Sequence, residues 1–100
     1  MDNIKALFII VNSGFSEEII NLARKEGASG ATILNARGYG PVIERIMGIS
    51  VDVEREIVLS LVDEKIADRI MNAIKEKLGI ASPAHGICFT LPVDKVTKMV

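Results

Sequence analysis

The run Ala6–Val11, ALFIIV, decides the fold. Six apolar residues in a row are too few for a helix, and the run is rich in β-formers. With no polar alternation, it reads as a strand buried on both faces. A second run of the same kind, Glu56–Val62 (EIVLSLV), reads as the third strand. Outward from the first run, Asn12-Ser13-Gly14 breaks the strand, and Ser16 is placed to cap a helix. Glu17 and Glu18 in its first turn favour the positive end of the helix dipole. Ile19, Leu22 and Ala23 give this helix its buried stripe, Arg24 and Lys25 suit its last turn, and Gly27 ends it.

Strand two is expected over Ala31–Ala36. From Tyr39 to about Glu54 clear periodicity is lost; Pro41 could open a short helical turn with Ile43, Ile46 and Met47 on one side. That stretch reads either as a loop tucked onto its own subunit or as an arm that meets a partner or covers a ligand. After strand three, Asp63 caps a second helix with the stripe Ile66, Ile70, Ala73, Ile74 and Leu78, closed by Gly79. A loop over Ile80–Gly86 leads to a fourth strand, Ile87–Leu91, and Val93–Val100 is a tail of mixed character.

The order β-α-β-β-α-β is the ferredoxin-like arrangement: an α+β class, with a four-stranded antiparallel sheet and two helices on one face. Two helices cover only one side of such a sheet, yet strands one and three are apolar at nearly every position. Their second face would be a large apolar patch in a monomer. Self-association through that face, commonly as a cyclic homo-oligomer, is the physical remedy.

One hundred residues make a single domain, 1–100. With 25% charged residues and a net charge of −1, neither a nucleic-acid footprint nor a polybasic membrane patch is expected. No apolar run approaches the ~18 residues of a membrane span, and the start lacks the pattern of a signal peptide. The one cysteine, Cys88, allows no internal disulfide. A cytoplasmic protein without membrane insertion is the simplest expectation.

Function is to be sought in Gly27–Gly40, GASGATILNARGYG, which holds Gly27, Gly30, Gly38 and Gly40, half of the eight glycines. Glycine serves where φ is positive or where a ligand approaches the backbone closely. Thr32 and Arg37 add a hydroxyl and a fixed positive charge, which suits an anion such as a phosphate.

Four segments resemble the PII signalling proteins and their PII-like relatives. Gly27-Ala28-Ser29-Gly30-Ala31-Thr32 followed by Arg37-Gly38-Tyr39-Gly40 is similar to the family's G-x-[ST]-G-x-T…[KR]-G-[FY]-G segment. Glu56-Ile57-Val58 resembles the strand returning from the family's long T-loop, His85-Gly86-Ile87-Cys88-Phe89 its D-G-K-I-F segment, and Val93-Asp94-Lys95-Val96 the V-x-[KR]-V that follows.

The resemblance implies a homotrimer with its sheets facing inward and nucleotide bound in clefts between subunits. It also implies a T-loop that docks onto a membrane transporter or a metabolic enzyme according to the ligand held. On that resemblance Thr32, Gly38 and Gly40 fall on nucleotide-contacting or T-loop-base positions, and Gly86 on the phosphate-side loop; with Arg37, His85 and Lys98 they form the candidate site. Ile87 stands where the family has a phosphate-binding lysine. Of two C-terminal arginines only Lys98 remains as a cation, with Val100 in place of the other. Desolvating a triphosphate without paired cations is costly, so the expectation is a less charged adenine nucleotide, ADP or AMP rather than ATP, or another small metabolite, or a site that has lost the function. Tyr39 falls at the base of a short T-loop, so uridylylation at the loop tip is not expected.

A second reading rests on His85 and Cys88. Three copies of His85 could converge in an oligomer, as in the trimeric ferredoxin-like CutA-type metal-tolerance family, but His-x-x-Cys alone is half a metal site. Catalysis is not expected, because one histidine and one cysteine leave little material for a nucleophile and base. Asp52, Glu54 and Glu56 alternate on the approach to strand three and read as solvated edge charge.

Overall fold

The computed structural model describes residues 3–38, 45–46, 49–50 and 53–97. The elements run β1 (Ile4–Asn12), α1 (Ser16–Lys25), β2 (Thr32–Gly38), β3 (Arg45–Ile46), β4 (Ile49–Ser50), β5 (Val53–Asp63), α2 (Glu64–Lys77) and β6 (Ile87–Pro92). Four of the strands make one antiparallel sheet in the order β2-β5-β1-β6. This is the ferredoxin-like arrangement, with β1 and β5, the two apolar runs, at its centre. The strands β3 and β4 pair with each other as a separate two-stranded sheet.

Alternation along the central strands sorts side chains to the two faces. Leu7, Ile9 and Val11 of β1 and Val58 and Val62 of β5 point to the helices, where Ile19 and Ala23 of α1 and Ala67, Ile70 and Ile74 of α2 close the core. Ser60 is buried among them, and its hydroxyl donates to the Gly30 carbonyl at 2.6 Å, pinning the α1–β2 connection to β5.

The opposite face carries Ala6, Phe8 and Ile10 of β1, Ile57, Leu59 and Leu61 of β5, Leu34 of β2, and Ile87, Phe89 and Leu91 of β6. Phe8 and Phe89 stack there, ring centroids 5.1 Å apart and 6° from parallel. Leu34, Leu61, Ile87, Phe89 and Leu91 are each 41–49% exposed. The apolar second face anticipated from counting layers is present.

Several boundaries move. The strand expected at Ala31–Ala36 runs Thr32–Gly38, because Ala36, Arg37 and Gly38 find partners in Arg55, Glu54 and Val53. Strand three begins at Val53 rather than Glu56 for the same reason. Ser16 does not cap α1. Phe15 holds the N-cap position without a side-chain bond, and the Ser16 hydroxyl donates instead to Glu56 Oε2 at 3.2 Å. Asp63 does cap α2, its carboxylate accepting from the Lys65 amide at 2.9 Å. In the arm, Ile46 lies on the short strand β3, paired with Ile49 of β4, rather than on a helical turn. Pro41, Ile43 and Met47, the remainder of that expected turn, lie outside the described residues.

Candidate functional site

The C-terminal ends of β1 and β2, the start of β5 and the loop before β6 meet at one end of the sheet. Asn12 joins three of these parts. Its backbone N–H donates to the Ala84 carbonyl at 2.8 Å and its side-chain amide to the Pro83 carbonyl at 2.9 Å. Its Oδ1 accepts from Arg55 Nη1 at 2.7 Å. The Arg55 side chain passes over Gly38: a Cβ built there would stand 2.9 Å from Arg55 Nε. Glycine at 38 is therefore the space that Arg55 occupies.

Glu56 holds the neighbouring β1–α1 turn. One carboxylate oxygen accepts from the Gly14 amide at 2.7 Å and the other from Ser16, which fastens a turn where Gly14 has φ 98°. Glu56 is thus a half-buried structural acceptor, not the solvated edge charge expected of it. Glu54 is exposed as read, and Asp52 lies outside the described residues. An open cleft of about 600 Å³ at this end is lined by Ser13, Asn35, Ala36, Arg37, Glu54 and Arg55.

The candidate residues fall into two groups. Arg37 and Gly38 close β2 at the cleft, while Thr32 opens the same strand on the apolar face, in the row of Leu59, Phe8 and Phe89. His85 and Gly86 precede β6 at the other edge of the sheet, roughly 14 Å across by strand spacing. Within one chain the groups do not converge. Gly40 and Lys98 lie outside the described residues.

Gly86 has a packing reason of its own: a Cβ there would run into the Leu78 carbonyl oxygen, to which its amide donates at 2.8 Å. His85 is exposed with φ 49°, a left-handed conformation uncommon for a side-chain-bearing residue. Ile87 is 48% exposed on the apolar face opposite Ile10. Asn12 and Arg55 were not singled out by sequence, since their pairing spans 43 positions and leaves no local signal.

Cys88 pairs with Ile9 and packs against the core from the helix side, so burial pushes its thiol pKa up. His85 lies in the exposed loop. Among the described residues no three His, Cys, Asp or Glu side chains are grouped to hold a metal ion. No described helix is long and apolar enough to cross a membrane.

A family profile described as nitrogen regulatory protein P-II matches residues 4–99. The chain belongs to that family. No curated protein sequence matches. Among solved structures, a PII-like signalling protein from Thermus thermophilus superposes with a TM-score of 0.71 at 24% identity, covering 93% of this chain and 90% of its own. CPII from Thiomonas intermedia, a nitrogen regulatory PII-like protein bound to ADP, AMP and bicarbonate, gives 0.72 at 19% identity, with 90% and 89% covered. The ATP complex of Bacillus subtilis GlnK gives 0.71 at 20% identity, with 94% and 86% covered. At these identities the likeness speaks for the fold.

Proposed function

We propose that this chain is a PII-like regulator rather than an enzyme. It works as a cytoplasmic homotrimer that holds an adenine nucleotide between subunits and acts on a transporter or a metabolic enzyme through the arm between β2 and β5. The observation that carries this reading is the apolar face of the sheet, with Leu34, Leu61, Ile87, Phe89 and Leu91 half-exposed. Apolar side chains exposed together on one face are the mark of an interaction site. Its placement opposite the helices suits a closed assembly of inward-facing sheets.

The division of the candidate residues supports a site between subunits. Arg37 and Gly38 stand at one edge and His85 and Gly86 at the other, so an adjoining copy is needed to bring the two groups together. Fold neighbours bound to ADP, AMP or ATP support an adenine nucleotide as the effector class. With an apolar Ile87 at the phosphate-side strand, ADP or AMP suits the site better than ATP.

Native mass spectrometry of freshly purified protein tests assembly and ligand together. The expected result is a species of three chain masses carrying adenine nucleotide, and calorimetry with tighter ADP or AMP than ATP. A single-chain species at micromolar concentration overturns the assembly, and tight magnesium-dependent ATP binding overturns the preference.

A further inference from the structure

We propose that Arg55 supplies the countercharge for the phosphate end of the ligand, in the cleft it lines with Ser13, Asn35 and Arg37. This rests in part on the nucleotide reading above, which lacks a cation at Ile87. The register of the sheet singles Arg55 out. Its ladder partners are Asn12 on one side and Ala36 on the other, both neutral. Glu54 and Glu56, its neighbours in sequence, alternate to the opposite face. Among the described residues Arg55 is the only cation on the face of the sheet away from the helices.

Arg37, by contrast, stands directly across the ladder from Glu54, so its charge is offset where it sits. The bond to Asn12 uses one of the five N–H donors of Arg55 and holds the guanidinium in place without neutralising it. The remaining fork suits the paired oxygens of a phosphate. Glu54, also in the lining, would repel an anion, which makes an uncompensated arginine the deciding group.

Asn12 also gives the cation a link to the rest of the molecule. Through its bonds to Pro83 and Ala84, the position of Arg55 is tied to the loop that ends in His85 and Gly86.

The test is calorimetric titration of the full chain with pyrophosphate and, separately, with ADP. The proteins are the parent, Arg55→Gln, Arg55→Lys, and Arg69→Gln as a remote variant of equal charge change on α2. Parent and Arg69→Gln are expected to bind both ligands alike. Arg55→Gln is expected to weaken both about tenfold or more, with Arg55→Lys between. Melting curves of each variant establish that it is folded, and Arg55→Lys carries the comparison if the glutamine variant is not.

The proposal is overturned if the parent does not bind pyrophosphate, if both Arg55 variants bind like the parent, or if Arg69→Gln weakens binding as much as Arg55→Gln. Arg55-dependent binding of pyrophosphate with no binding of ADP would keep the anion site and sink the nucleotide reading instead.

Discussion

At Gly86 a backbone carbonyl, not a side chain, fills the space where a Cβ would go. The Leu78 oxygen belongs to the C-cap of α2 and cannot swing aside, so relief must come from moving the start of β6 against the helix. Gly86→Ala is therefore expected to destabilise by about 1–3 kcal/mol, the usual range for overpacking, read as a lower denaturant midpoint. The same glycine belongs to the proposed phosphate-side loop, so lost ligand binding in this variant counts as a site effect only if stability is measured beside it. His85, one residue earlier, carries the opposite expectation. Its left-handed backbone favours glycine, so His85→Gly should exceed His85→Ala in stability by roughly 0.5–1 kcal/mol in thermal or chemical unfolding. Equal stabilities would show that the conformation at 85 is not held in solution.

Among the elements, α2 was legible almost whole, because its start is signalled locally by Asp63 and its stripe repeats every three to four residues. The start of α1 was not. Ser16 has the chemistry of a cap, but Glu56, forty positions on, takes its hydroxyl, and no local pattern reports a partner so distant. The end of β2 and the start of β5 were missed for a related reason: Gly38 and Glu54 are poor strand formers alone, and the two segments extend because Arg37-Gly38 and Val53-Glu54 pair. The glycine and arginine of the candidate site were thus readable as a motif, whereas Asn12, Arg55 and the clamp at Glu56 became visible only through register. That clamp sets an expectation for the β1–α1 turn. Glu56→Ala should cost about 1–2 kcal/mol and speed hydrogen exchange at the Gly14 amide, while Glu56→Gln, which keeps an acceptor, should do less. Unchanged exchange at Gly14 would mean that the turn holds itself. Cys88 in β6 gives the sheet a pH response. Burial raises its pKa in the folded state, so the thiol's contribution is complete below the unfolded value of roughly 8.5 and is lost as pH rises through the folded value. A plot of stability against pH should fall more steeply in alkali for the parent than for Cys88→Ala.

For the whole molecule, the layer count made from ALFIIV and EIVLSLV carries through to a measurable consequence. Five half-exposed apolar side chains on one face each stand to gain roughly 1 kcal/mol on being covered, about half the value for full burial. In the assembly proposed above, that gain is large enough to make folding and association hard to separate, as in many obligate oligomers. Leu34 on β2 and Leu91 on β6 sit on the two edge strands of this face. Leu34→Lys and Leu91→Lys should each shift sedimentation from the assembled species toward the single chain and make the melting temperature depend more steeply on protein concentration. Ile80 supplies the comparison, because at 62% exposed it is the barest of these side chains yet lies in the loop after α2 rather than on the sheet. Ile80→Lys should leave assembly intact. Were it to dissociate the protein as readily as the sheet variants, the contact surface would lie on the helix side, and a cleft joining Arg37 of one copy to Gly86 of another could no longer be built from this face.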